Sequence, residues 1–222
     1  MKEEEALDKT LSLLDDKSIS VSMIEKYGVQ APVNPLVFKN VNKEHVICIS
    51  EELLEGLYNI HHSTKETGNE VPFFLFGYER EDGSVLFDTL EVGKANRIQD
   101  ADFKSISSKL LRFINFVGEN KLDNQIVCHG HTHGKHGDYP DNFSLKDMSA
   151  YVEMSDIHPL MKNGTIQTIG CVFNSSGDLN FVLYDKYNQG FYKFPNVVIE
   201  FNDGSKEPLP AYCKGKYKSD GR

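Results

Sequence analysis

Ile126-Val127-Cys128-His129-Gly130-His131-Thr132-His133 places three of the eight histidines of the chain at alternate positions, directly behind an apolar pair. The run Gln125 to Cys128 reads as a short strand leading into the histidines. Alternate residues of an extended chain face one side. His131 and His133 therefore aim at one point, as two ligands of a single metal ion must. Ser144-Leu145-Lys146-Asp147 follows after a short loop and sets a serine and a carboxylate three apart. A carboxylate arriving from the next element completes a three-ligand site with one open position, the pattern of catalytic zinc. His129 shares the same face and stands either as a further ligand or one step behind the pair.

Working outward from that stretch, strands and helices alternate. His45 to Ile49 reads as a strand, and Ser50 as the cap of a helix. Glu51 and Glu52 suit its dipole, and Leu53, Leu54, Leu57 and Ile60 line one face. Thr67-Gly68-Asn69 breaks it. Val71 to Gly77 and Val85 to Val92 read as a hairpin turning at Glu81-Asp82-Gly83-Ser84. A second helix, capped by Asp100 or Asp102, buries Phe103, Ile106, Leu110, Phe113, Ile114 and Val117. Ser144 caps a third, with Leu145, Met148, Tyr151 and Val152 inward. Thr165 to Asn174 and Leu179 to Tyr184 are strands, and Gly190 to Phe201 adds one more pair. The class is α/β, with a mixed sheet flanked by helices.

The rest of the chain bounds the function. Its 222 residues suit one domain with trimmings. A net charge of −9 with no basic stripe argues against a nucleic-acid backbone as partner. The acidic start, Met1-Lys2-Glu3-Glu4-Glu5, precedes no leader-like apolar run, and no stretch approaches the ~18 apolar residues of a membrane span. Cys48, Cys128, Cys171 and Cys213 are scattered without a CxxC pair, which reads as reduced thiols. The expectation is a cytoplasmic protein with no membrane partner. Leu7, Leu11 and Leu14 recur at helical spacing in the acidic N-terminal segment.

His131-Thr132-His133, Ser144 and Asp147 resemble the signature of the JAMM, or MPN+, metalloproteases. That family has a histidine, a small polar residue and a second histidine, then a serine with an aspartate three positions on. It also carries an upstream glutamate beside an apolar strand, and Glu70-Val71-Pro72-Phe73-Phe74-Leu75-Phe76-Gly77 supplies one. Glu79 and Glu91 flank the same hairpin but lie near its turn or on its return strand. The order of elements is similar too, over roughly residues 40–190. Two features depart from the pattern. Gly134 stands where the family usually has proline, and the loop from His133 to Ser144 is longer than its common spacing. Closure entropy tolerates a longer loop, which alters the rim of the cleft more than the ligands. His136, Asp138 and Tyr139 lie on that rim.

The resemblance implies a cytidine deaminase-like architecture over residues 36–202, after an acidic helical extension and linker at 1–35 and before a polar tail at 203–222. It implies one zinc per chain on His131, His133 and Asp147, with Glu70 as general base and Ser144 as oxyanion partner. The activity implied is hydrolysis of a peptide or isopeptide amide, with a peptide or the tail of a ubiquitin-like protein as substrate. The alternative is a non-catalytic MPN-type scaffold or binding module.

Other HxH hydrolases fit less well. A calcineurin-like phosphoesterase needs an early Asp-x-His, a Gly-Asp and an Asn-His upstream, and Asp156-Ile157-His158 falls on the wrong side. A metallo-β-lactamase needs an aspartate and a histidine directly after its HxH, which Gly134-Lys135-His136 does not provide. An amidohydrolase barrel, at ~250 residues, needs far more chain after the pair than remains.

Overall fold

One mixed sheet carries the site. The computed structural model describes residues 39–40, 46–95, 103–134, 143–185 and 190–209. Its strands are β1 (Lys39–Asn40), β2 (Val46–Ser50), β3 (Pro72–Glu79), β4 (Val85–Val92), β5 (Gln125–Thr132), β6 (Ile166–Phe173), β7 (Leu179–Asp185), β8 (Gly190–Lys193), β9 (Asn196–Glu200) and β10 (Lys206–Pro208). The helices are α1 (Glu51–Thr67), α2 (Ser107–Asn120), α3 (Leu145–Met154) and the single turn α4 (Pro159–Lys162). Across the sheet the order is β1-β8-β7-β6-β5-β3-β4-β2-β9-β10.

The expected pairing within Gly190 to Phe201 does not occur. β8 pairs antiparallel with β7, while β9 pairs parallel with β2 and antiparallel with β10. Phe194 and Pro195 alone join β8 to β9, although six strands separate them in the sheet. Strands ~4.8 Å apart would hold them more than ~30 Å from each other in a flat sheet. Two linking residues, at ~3.5 Å each, span only a fraction of that. The sheet is therefore curled, and its two margins approach each other.

Alternation divides the sheet into two apolar faces. Phe73, Leu75, Phe87, Ile126, Cys128, Cys171 and Phe181 pack with Leu53, Leu54 and Leu57 of α1. Phe74, Phe76 and Val127 pack with Leu110, Ile114 and Val117 of α2 and with Ala150 and Met154 of α3. Neighbouring residues of β3 thus feed opposite cores, which explains why its burial is nearly continuous. α1 starts on Ser50, whose Oγ accepts from Leu53 N at 3.2 Å, and ends on Gly68 in the left-handed region at φ 73°.

Several boundaries differ from expectation. β5 runs on through Thr132, so His129 and His131 belong to the strand and do not follow it. Eight paired residues between β3 and β6 extend it, because both neighbours continue alongside. α2 begins at Ser107 after a 3-10 turn at Phe103–Ile106, with no side-chain cap. Asp100 and Asp102 lie outside the described residues. β10 pairs with β9 beyond residue 202, and Leu209 is buried in the α1 core, so the fold reaches into the expected tail. The extension at 1–35, Cys213 and the segment from Lys214 also lie outside the described residues. Cys48, Cys128 and Cys171 are free and buried. Among the described residues no helix is long and apolar enough to cross a membrane.

Candidate metal centre

β5 hands its histidines to the α2–α3 side of the sheet. Pro72 pairs with His131, and Val172 of β6 flanks it on the other side, so the ring is held at the C-terminal end of a central strand. His133 follows directly, its N–H donating to Phe173 O at 2.9 Å. α3 delivers the carboxylate. Ser144 caps it and Asp147 is its third residue, a capping box in which each member bonds the other's backbone. The Ser-x-x-Asp spacing is thus the local code for starting this helix. It also turns the aspartate toward β5.

The three side chains converge. His131 Nε2 and His133 Nε2 lie 3.0 Å apart. Asp147 Oδ1 is 3.2 Å from His131 Nε2, and Asp147 Oδ2 is 3.5 Å from His133 Nε2. All three residues are buried, and together they form a group that could hold a metal ion. Tetrahedral bonds of ~2.0–2.1 Å set ligand atoms ~3.3–3.4 Å apart. The separations here bracket that value, so the donor set fits a small divalent cation in both chemistry and size.

Electrostatics binds the group together. Burial alone would raise the Asp147 carboxyl, but the His131 and His133 rings hold it well below the usual carboxylate range. Burial alone would lower His131, but Asp147, and after it Glu70, hold its pKa above the ordinary value. Glu70 itself is buried, in the link between α1 and β3. Its charge is among the influences that raise His131. Glu79 and Glu91 do not share this place. Glu79 is at the end of β3 facing Gln167, and Glu91 pairs with Lys109 at 3.0 Å.

Thr132 has a role that the HxH pattern alone does not reveal. It points to the opposite face, where its Oγ1 accepts from Val71 N at 2.9 Å and donates to Thr64 Oγ1 at 2.6 Å. Thr64 in turn donates to Ile60 O at 3.1 Å. This chain of bonds ties the residue after Glu70 to α1 and to the histidine strand. The available signal was alternation, since the residue between two inward histidines must face the other core.

His129 is not one of the converging ligands. It is 2% exposed and boxed by aromatic rings, with centroids 3.8 Å from Phe103, 5.7 Å from Phe74 and 5.8 Å from Tyr151. Burial, reinforced by the nearby His131, pushes its pKa down to about 3, so it is neutral. Burial likewise pushes the Cys128 thiol well up, as expected of a core thiol. His136, Asp138 and Tyr139 lie outside the described residues.

No protein-family model matches this chain, and no curated protein does. Among solved structures the chain is similar to the solution structure of protein DSY2949 from Desulfitobacterium hafniense. The two share 13% identity over 70% of this chain and 94% of that one, with a TM-score of 0.45.

Proposed function

We propose that this chain is a zinc-dependent hydrolase of JAMM/MPN+ type that cleaves a peptide or isopeptide amide. The observation that carries the reading is the convergence of His131, His133 and Asp147 at 3.0–3.5 Å. Two neutral imidazoles and one carboxylate leave a divalent ion net positive and short of a fourth ligand, which separates catalytic from structural zinc sites. The mixed sheet, with α1 on one face and α2 and α3 on the other, agrees with the architecture that the resemblance implies.

Held by His131, His133 and Asp147, zinc would supply Lewis acidity and make a bound water easier to deprotonate. The chain's own residues do the rest. Glu70 accepts a proton from the attacking water on its carboxylate and passes it to the departing amine. Ser144 Oγ accepts from Asp147 N at 3.2 Å, which leaves its own hydrogen free to donate to the oxygen that gains charge. The sheet and α3 keep these groups in register through turnover. A ubiquitin-like tail is one substrate of the expected class, and an ordinary extended peptide is another.

Metal analysis of the purified chain after reconstitution tests the reading. The expected result is one zinc per chain, lost in His131→Ala. A wild-type chain that retains no zinc sinks the hydrolase and favours the non-catalytic module.

A further inference from the structure

Among the described residues, three buried side-chain nitrogens lack a hydrogen-bond partner: His129 Nδ1, His129 Nε2 and His131 Nδ1. They belong to two residues on one face of β5, two positions apart, which are 2% and 6% exposed. A neutral imidazole has one N–H and one lone pair to satisfy. Buried polar groups are nearly always paired, by protein or by ordered water. Two adjacent orphaned rings therefore require one explanation.

His131 supplies half of it. Its Nε2 turns toward His133 and Asp147, so its Nδ1 points back into the protein. A neutral ring that ligates through Nε2 carries its proton on Nδ1, and ligating histidines almost always donate that proton to a partner. Among the described residues no carboxylate or carbonyl accepts it. The orphaned ring next along the face is His129. Phe103 packs against both rings, with centroids 3.8 Å from His129 and 6.3 Å from His131.

His129 supplies the other half. On packing grounds its box of Phe74, Phe103 and Tyr151 suits a wholly apolar ring. An imidazole there gains nothing from its surroundings unless one nitrogen is used. Buried waters typically bond to buried polar groups that are otherwise unsatisfied.

We infer that His129 is the positioning residue of the metal centre: one buried water links the Nδ1–H of His131 to a ring nitrogen of His129, fixing the tautomer and the aim of the ligand. This rests on the reading of His131, His133 and Asp147 as a metal site. His129 touches neither metal nor substrate. Its effect passes through His131.

Cobalt(II) titration of the full chain, in competition with a chromophoric chelator, tests the link. His129→Phe keeps an aromatic ring in the box and removes both nitrogens. It is expected to weaken cobalt(II) binding by ~10–100-fold, the usual cost of losing an outer partner, and to alter the visible absorption of the bound ion. His129→Asn, which restores a polar side chain, is expected to recover most of the affinity. Should His129→Phe fail to fold, imidazole nitrogen-15 spectra of the zinc-loaded wild type decide. The Nδ1–H of His131 should be resolved and protected from solvent exchange. His129→Phe binding within twofold of wild type, or an Nδ1–H that exchanges like a surface ring, overturns the link alone. A wild type that takes up no cobalt(II) overturns the metal centre and the link together.

Discussion

Ser144 and Asp147 hold each other at both ends: Ser144 N donates to Asp147 Oδ2 at 2.6 Å, and Ser144 Oγ accepts from Asp147 N at 3.2 Å. The same three-residue spacing therefore starts a helix and aims a metal ligand. Oδ2 is engaged with the cap, which leaves Oδ1, 3.2 Å from His131 Nε2, as the better placed ligand oxygen.

The two roles of Ser144 separate by substitution. Ser144→Ala removes the cap and should cost about 1 kcal/mol in urea denaturation of the metal-free chain, whereas Ser144→Gly should cost only a few tenths. Both remove the hydroxyl. If that hydroxyl donates to the developing oxyanion, both should slow hydrolysis of a ubiquitin C-terminal amide by about 10²-fold or more. Rates that follow stability, with Ser144→Gly near wild type, would reduce Ser144 to a helix cap.

Gly170 governs how closely α3 approaches the sheet. A Cβ at Gly170 would lie 2.3–2.5 Å from ring atoms of Tyr151, and Gly170 pairs in register with His129. Tyr151 is four residues after Asp147, hence on the same side of α3. Gly170→Ala should push the ring and its helix outward, costing ~1–3 kcal/mol by overpacking and drawing Asp147 from the imidazoles. Tyr151→Leu in the same chain should relieve part of both losses, a coupling that a double-mutant cycle on stability and cobalt(II) affinity measures. Strictly additive losses would place the clash elsewhere.

The parts of the site that the sequence showed are those that follow local rules. Two histidines at alternate positions and a serine three before an aspartate need only strand alternation and helix capping to be read. The curl of the sheet was not legible. It depends on β8 and β9 leaving each other for β7 and β2, and nothing in Gly190 to Phe201 marks that parting except Pro195. The extent of β5 was also hidden, since Gly130 and three histidines look like the end of a strand when pairing partners are unknown. Parallel β6 and antiparallel β3 carry that strand through them. The state of His129 depends on Phe103 and Tyr151, which lie well away from it in sequence.

His61 gives the chain a pH dependence distant from the metal centre. Its ring stacks on Phe173 at 4.3 Å, and its Nε2 donates to Asn174 O at 2.9 Å. Burial, with Lys65 nearby, pushes its pKa down to about 4, against the opposing pull of the Asn174 carbonyl. The unfolded ring titrates near 6.5. The folded value is the lower one, so the unfolded chain takes up the proton first as pH falls. The stability contribution is full above about 6.5 and is lost toward about 4, on the order of 3 kcal/mol in all. His61→Phe retains a ring but cannot titrate. The wild-type urea midpoint minus that of the variant should fall as the pH is lowered from 7.5 to 5, and a constant difference would assign the destabilisation to other groups.

Glu70 and the ligands make separable demands. Glu70 is buried and is not one of the three converging donors, so Glu70→Gln keeps the shape and leaves the metal set intact. Loss of its negative charge removes one of the influences that raise His131 and should alter zinc affinity by a small factor only. Loss of a positioned base is a larger matter, worth ~10²–10⁴-fold in rate. The expected pattern is zinc content at wild-type stoichiometry with hydrolysis of a ubiquitin C-terminal amide, or of an extended peptide, reduced by that factor. His131→Ala should lose both together. A Glu70→Gln chain that keeps its zinc and its full rate would transfer the proton to another group, whereas one that loses its zinc would make Glu70 part of the ligand set.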